Sequence, residues 1–337
     1  MNNSMPLPES AIEFLAGQAE RIRGLKRKQR IVFPEGTDPR VITAAQRLVR
    51  EGLVEPILIG EPGHAIAGVR VIDPAADPKF DRYVNLLLER RRARGMNHAE
   101  ATQLTRRPLY YACLMVGAGE ADGFVGGAAN STADTVRAAL HSIGSQPKVK
   151  TVSSFMVLCV RNRSYGINGL FAIADPAMVI DPSPGELAEI TIATSESVKA
   201  LFGIEPIVAL LSFSTKGSGK HKKVDTVVEA LKIIKARAPQ LHVDGELQAD
   251  AALVPAVGRS KAPGSTVAGS ANTLIFPDIN AANIGYKLVE RLGDATAIGP
   301  FLQGLAKPCN DLSRGCSAED IYGAAIVTAL QAAAVQG

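Results

Sequence analysis

The chain reads as an α/β protein on mainly parallel sheets, divided into two domains. Three observations lead there. Short apolar runs rich in β-branched residues alternate with helical patterns along nearly the whole sequence. Those runs lack the in-and-out alternation of a half-exposed strand, so both faces of each sheet should be covered by helices. At 337 residues the chain is also long for a single hydrophobic core.

Taken in order, "RIVFPEG" (30–36) reads as a strand ending in a turn, and "DPRVITAAQRLVREG" (38–52) as a helix stopped by Gly52. "VEPILIGEP" (54–62) is the next strand. "ADGFVGG" (121–127) then precedes the helical pattern "STADTVRAALHSIG" (131–144). A polar crossing, "SIGSQPKVKTVSS" (142–154), leads into a new strand, "SSFMVLCV", and marks a domain boundary near residue 150. Beyond it, "PIVALLSF" pairs with "KVDTVVEALKIIKARAP", and "NTLIFPD" with "AANIGYKLVERLG". A second crossing near "LGDATAIGPFLQG" (292–304) precedes the last helix, "DIYGAAIVTALQAAA" (320–334). In such folds ligands bind beyond the carboxyl ends of the strands, which directs attention to the strand-to-helix loops.

Composition excludes several classes of function. Lys and Arg exceed Asp and Glu by 37 − 33 = 4, a mild basic balance. The basic runs "RIRGLKRKQR" (21–30), "RRRAR" (90–94) and "KGSGKHKK" (216–223) lack interleaved aromatics, and the chain has no Trp. Nucleic acid is therefore a poor partner, and small polyanions suit the excess better. The four cysteines, Cys113, Cys159, Cys309 and Cys316, form no C-x-x-C pair. They read as reduced thiols of a cytosolic protein. The start, "MNNSMPLPES", has neither a basic nor an apolar stretch, so no signal peptide is expected. No apolar run approaches the ~20 residues of a membrane span.

Three loops could carry chemistry. In "GFVGGAANSTADTVRAAL" (123–140), Asn130, Ser131 and Thr132 open a helix that carries Arg137 on its second turn. Free N–H groups and hydroxyls there would make an anion site; an ordinary N-cap with a solvated arginine is the other reading. "SFSTKGSGKHKK" (212–223) offers Ser212, Ser214, Thr215, Lys216 and Lys220 after a strand, but His221 follows Lys220, so the P-loop pattern fails. It is either a phosphate-facing loop or a solvated basic turn. "GAGEADG" (117–123) likewise misses the dinucleotide fingerprint.

The histidines (His64, His98, His141, His221, His242) are scattered, and no H-E-x-x-H or G-x-S-x-G is present. Asp244, Glu246 and Asp250 in "DGELQAD" are the one candidate for a metal, but acids at strand ends are more often structural, so no metal is expected. The third loop is "NDLSRGCSAED" (310–320). Ser317 and Asp320 fit a capping box for the last helix. That leaves Ser313 and Arg314 unexplained. A hydroxyl, a guanidinium and a carboxylate at a helix amino terminus suit phosphate binding beside a base.

Together these segments resemble the phosphate acetyl/butyryl transferase family. The likeness runs from "IVFPEGTDPRV" through "HVDGELQADAAL" and "GSANTLIFPDINAANIGYKLV" to "PCNDLSRGCSAEDIY". It implies two α/β domains like those of isocitrate and isopropylmalate dehydrogenases, with the active site in the interdomain cleft. By that analogy the last helix returns to the first domain, giving 1–148 with 305–337, and 149–304. The implied reaction is reversible acetyl transfer between acetyl phosphate and coenzyme A, in a cytoplasmic homodimer. Neither a metal nor a bound organic cofactor is needed, coenzyme A being a substrate.

Position by position, the family's catalytic residues fall on Ser313, Arg314 and Asp320. Its coenzyme-A arginines fall on Arg137 and on Arg91 in "ERRRARG", where Arg90 and Arg92 adjoin. Ser131, Thr132, Lys216 and Asn283 are placed with the substrate-binding residues. The family's usual His before the Ser-Thr pair is Asn130 here. Other readings remain: transfer of a propionyl or butyryl group, or a non-catalytic acyl-CoA-sensing module. A hydroxyacid dehydrogenase of the shared fold would want a metal-binding aspartate cluster and a nicotinamide site, and neither is evident.

Overall fold

A computed structural model of the protein describes residues 6–60, 66–147 and 149–336. His64, Lys148 at the expected domain crossing, and the first five residues of the amino-terminal stretch lie outside the described residues. The chain runs through helix α1 (Glu9–Arg23), β1 (Gln29–Phe33), α2 (Pro39–Arg50), β2 (Val54–Ile59), β3 (Arg70–Ile72), α3 (Phe80–Arg91), α4 (His98–Thr105), α5 (Pro108–Gly117), β4 (Gly123–Gly126) and α6 (Thr132–Ser142). Next come β5 (Ser153–Cys159), β6 (Leu170–Ala174), α7 (Pro184–Phe202), β7 (Val208–Leu211), α8 (Lys222–Arg237), β8 (Val243–Leu247), α9 (Ala249–Leu253), α10 (Pro255–Lys261), β9 (Thr273–Ile275), α11 (Ile279–Leu292) and β10 (Thr296–Gln303). It closes with β11 (Cys309–Asp311) and α12 (Ala318–Gln336). No helix among the described residues is long and apolar enough to cross a membrane.

Two compact units result. One comprises Leu15–Lys148 with Leu305–Gly337, the other the chain up to Phe14 with Val149–Gly304. The sequence assigns all of 1–148 to one domain; the structure groups its opening residues with 149–304 for a local reason. Ser10 Oγ donates to the Val160 carbonyl at 3.0 Å, Arg163 pairs with Glu9 and Glu13, and the Phe14 ring meets Phe202 edge-on at 5.4 Å.

The first-named unit holds a five-stranded sheet in the order β11-β4-β1-β2-β3, with every pairing parallel. Its central strands are buried along their apolar runs, Ile31 to Phe33 and "GFVG", as strands covered on both faces require. Helix α5, "PLYYACLMVG", is buried from Leu109 to Val116, consistent with a helix apolar all round. In the other unit the order is β10-β5-β6-β9-β7-β8. Here β6, β9, β7 and β8 pair in parallel, while β5 runs antiparallel to both β6 and β10.

Strand order decides where chemistry can gather. The neighbours β11, β4 and β1 end together, so the turns following them lie side by side although nearly 280 residues separate the first from the last. Each turn leads into a side-chain-capped helix. Asp38 accepts from Arg40 N at the start of α2, Ser131 from Asp134 N at α6, and Ser317 from Asp320 N at α12. Such caps satisfy donors that the helix itself cannot, each contributing about 0.5–2 kcal/mol.

At the opposite end of the sheet, Asp122 ties the entries of β1 and β4. Its side chain is only 4% exposed, and it accepts from Arg27, from Arg30 and from the Arg30 backbone N–H at 2.8 Å. Burial alone would raise this carboxyl, but the two guanidiniums and the backbone N–H hold it well below the ordinary range. A depressed folded-state value contributes stability above the unfolded pKa of about 3.9, lost as pH falls further. Asp122→Asn should therefore lower the melting temperature near neutrality, and its difference from wild type should shrink as the pH is taken below about 4. A pH series of thermal melts on both proteins checks this.

Candidate active site

The turns after β1, β4 and β11 are joined by one side chain. Arg40, on the first turn of α2, places Nε and Nη2 on the two oxygens of Asp38 at 3.0 and 2.8 Å. Nη2 also reaches the Ala128 carbonyl, and Nη1 donates to the carbonyls of Arg314 and Cys316, each at 2.9 Å. All five guanidinium donors are thereby engaged, a geometry a lysine cannot reproduce. Asp38 in turn lies below its ordinary pKa, chiefly through its hydrogen bond with Arg40.

Ser313, Arg314 and Asp320 stand on the turn held this way and on the first turn of α12. All three are exposed. The Arg314 guanidinium makes no ion pair or hydrogen bond among the described residues, whereas Ser313 Oγ accepts from Gly315 N at 3.3 Å. Asp320 completes the capping box: Oδ2 accepts from Ser317 N at 2.8 Å and from Ser317 Oγ at 2.9 Å. So the cap the sequence suggests is present, and it occupies one carboxylate oxygen. Between them sits Cys316, buried, its thiol pushed up to about 11, mainly by burial. A thiol so protonated is a poor nucleophile.

At the start of α6, Ser131 caps the helix, and the other donors are engaged by carboxylates of the chain itself. Gly127 N, Ala129 N and Asn130 Nδ2 donate to Glu35 Oε1 at 2.9, 3.3 and 2.7 Å. Thr132 Oγ1 donates to Asp311 Oδ2 at 2.5 Å, and Ser131 Oγ to Asp134 at 2.8 Å. Ser131 and Thr132 thus reach a ligand only by exchanging carboxylate partners.

Arg137, on the next turn of α6, is exposed and pairs with Asp134 at 2.8 Å. It belongs to a basic patch. Tyr110 OH and His141 Nδ1 lie 3.1 Å apart, and the Arg107 guanidinium stands 5.8 Å from the centre of the Tyr110 ring. Burial lowers the His141 pKa, and the charges of Arg91, Arg137 and Arg94 lower it further. Four guanidiniums around a histidine and a tyrosine suit a ligand bearing several phosphates. The patch also separates the three adjacent arginines. Arg90 is committed to the carbonyls of Ile143 at 2.8 Å and Gly117 at 3.4 Å, and Arg92 is exposed. Arg91 faces the patch, with a buried Nε that has no partner among the described residues.

Lys216 and Asn283 belong to the other unit and are described there. Lys216 Nζ pairs with Asp244 and donates to the Gly245 carbonyl at 2.8 Å; Asn283 Nδ2 donates to the Pro176 carbonyl at 3.1 Å. The acids considered for a metal have separate partners: Asp244 takes Lys216 and Ser265, Glu246 takes Ser214 and Gly217 N, and Asp250 takes Lys261. No group of three His, Cys, Asp or Glu suited to a metal occurs among the described residues.

Reading the sequence alone missed Glu35, Arg40, Asp311, Arg107, Tyr110 and His141. The one available signal was Asp38-Pro39-Arg40 at a helix start, where only the aspartate is needed for the cap.

The pattern of the phosphate acetyl/butaryl transferase family matches residues 14–329. A phosphate acetyltransferase of Acetivibrio thermocellus is 49% identical over 310 residues, covering 90% of this chain and 93% of its own. The crystal structure of a phosphotransacetylase from Streptococcus pyogenes superposes with a TM-score of 0.90 at 45% identity, covering 96% of this chain and 99% of its own. A 4-hydroxythreonine-4-phosphate dehydrogenase from Klebsiella pneumoniae, 12% identical, covers 91% of this chain and 99% of its own with a TM-score of 0.52, a likeness of fold alone.

Arg40 gives this geometry its test. Arg40→Lys keeps the charge but cannot span the carbonyls of Ala128, Arg314 and Cys316, so the loop beside Ser313 shifts. The variant should fold, with a turnover number reduced by roughly 10–100-fold, the scale that small misplacements produce. Melting curves and steady-state rates on one preparation measure both.

Proposed function

The chain belongs to the phosphate acetyl/butaryl transferase family, and from that premise we propose that it transfers an acetyl group reversibly between acetyl phosphate and coenzyme A. The observation that carries the reading is the Arg314 guanidinium beside Ser313, without a partner among the described residues, at the mouth of a helix whose first turn bears Asp320.

A thiol with a pKa of roughly 8.5 is only a few per cent ionised at neutral pH, so a positioned base accelerates its attack. Asp320 takes the thiol proton through the oxygen that the cap leaves free. The sulfur attacks the carbonyl carbon of acetyl phosphate in a ternary complex. A C–S bond forms, the C–O bond to phosphate breaks, and phosphate departs with the bonding pair. Arg314 binds the charge that grows on the departing phosphate, and the positive end of α12 adds to it. Ser313 donates to the phosphate or to the developing oxyanion. The phosphates of coenzyme A fall to Arg91 and Arg137, with the rest of the basic patch beside them. A protein nucleophile plays no part, in keeping with the raised Cys316 thiol.

In this reading the protein is cytoplasmic and needs neither metal nor bound organic cofactor. It works as a homodimer, for which α11 supplies an apolar stripe in the exposed Ile284, Leu288 and Leu292. Thioester absorbance with purified protein, coenzyme A and acetyl, propionyl or butyryl phosphate in turn is the direct test. Thioester formed fastest from acetyl phosphate is expected; none from any of them would end the proposal.

Asp320 separates catalysis from capping. If it were only a cap, Asp320→Asn would cost about 0.5–2 kcal/mol of stability and leave turnover intact. As the base, the variant should stay folded and bind both substrates while turning over at least ~100-fold more slowly. Part of that rate should return as the pH approaches the thiol's own pKa. Arg91→Ala and Arg137→Ala should instead raise KM for coenzyme A more than for acetyl phosphate.

A further inference from the structure

Behind the turns that carry Ser313 and Arg314 lie two buried carboxyls to which the proposed reaction assigns no role. Glu35 is 9% exposed and Asp311 2%. Glu35 Oε1 gathers three donors of the turn after β4, from Gly127, Ala129 and Asn130. Asp311 Oδ2 takes Thr132 Oγ1. The second oxygen of each, Glu35 Oε2 and Asp311 Oδ1, is buried with no partner among the described residues. The packing there is tight. A Cβ on Gly127, whose φ is +107°, would lie 2.4 Å from Asp311 Oδ1 and 2.6 Å from the Leu312 carbonyl. Leu312 N donates to the Gly126 carbonyl at 2.7 Å, and Ser313 follows immediately.

A structural need for acceptors would be met by Gln and Asn, whose carbonyls accept the same bonds without burying charge. Two carboxyls, each with an unsatisfied buried oxygen, weaken the fold instead. As carboxylates they hold the donors of Gly127, Ala129, Asn130 and Thr132 inward more strongly than neutral amides would. Those donors would otherwise compete with Ser313 and Arg314 for an anion.

We propose that Glu35 and Asp311 are a positioning pair for acyl transfer, holding the 127–132 and 312–314 turns in one geometry and reserving the anionic phosphate for Ser313 and Arg314. The inference rests on the acyl-transfer reading above. The groups facing the pair are Arg40 from α2 and Cys316 from the last turn, with Cys309 on the strand of Asp311 and Thr132 and Thr135 from α6. In that setting the Asp311 carboxyl is pushed up to about 6, chiefly by burial, with Glu35 adding to the rise and the two threonines opposing it.

A raised folded-state value has a definite sign. The contribution of Asp311 to stability is full below the unfolded pKa of about 3.9 and is lost as pH rises through about 6. Asp311→Asn removes that loss while keeping an acceptor for Thr132. It should therefore melt at or above the wild-type temperature at pH 8, and the fall in wild-type melting temperature between pH 5 and pH 8 should be smaller in the variant. Its turnover number should nonetheless drop at least tenfold, with KM for acetyl phosphate unchanged or lower. Glu35→Gln, measured alongside, should show the same loss of turnover, so a poorly folding Asp311→Asn would not leave the pair unjudged.

Wild-type turnover in both folded variants would overturn the proposal. So would melting temperatures lowered equally at every pH, the mark of a merely structural role. A wild-type protein that forms no thioester would sink the acyl-transfer reading itself, and the melting series would still show whether Asp311 carries a strained charge.

Discussion

One guanidinium organises the carboxyl end of the parallel sheet. Arg40 arises from α2, after the first strand, yet it grips the turn after the fourth strand at Ala128 and the turn after the last at Arg314 and Cys316. Each of those carbonyls belongs to a segment with no regular partner of its own. Fixing the backbone at residues 314 and 316 pins the turn on both sides of Gly315, where glycine would otherwise leave the chain most freedom. Asp38 completes the arrangement by holding the fork and capping its helix with the same carboxylate. Rigid support of this kind lets exposed side chains act with small reorganisation, the condition for electrostatic catalysis.

Around that fork the charges divide by depth. The acids Glu35 and Asp311 are buried and turned toward donors of the chain itself. The arginines lie outward: Arg314 has no counter-ion among the described residues, and Arg137 has Asp134. An inner layer of negative charge beneath an outer layer of positive charge favours anions at the surface and keeps them from the backbone below. The cysteine between the layers stays protonated, which leaves the incoming thiol as the reactive sulfur.

How much of this the sequence displays follows from the range of each interaction. The strand and helix patterns are local, so the α/β class and most elements were legible, as was the capping box of Ser317 and Asp320. The resemblance to a known family carried Ser313, Arg314 and Asp320, and the family is what the chain belongs to. The clamp was not legible, because Arg40 and Arg314 are 274 positions apart and meet only through the order β11-β4-β1. Asp311 could not be singled out either, since nothing local says that a carboxylate ending a strand will face Thr132. For the same reason the sequence leaves an anion site and an ordinary N-cap both open at α6: its donors look free in sequence, and what engages them is Glu35 after β1, Asp311 at the end of β11 and Asp134 of α6 itself.

A crystal structure of the protein grown with inorganic phosphate and coenzyme A tests whether the Arg40 fork presents Ser313 and Arg314 to a phosphate. The expected result is a phosphate hydrogen-bonded to Arg314 and Ser313, with Arg40 still bridging the carbonyls of Ala128, Arg314 and Cys316. A phosphate bound away from Arg314, or an Arg40 that has left those carbonyls to bind it, would mean that the fork does not present Ser313 and Arg314 to the phosphate.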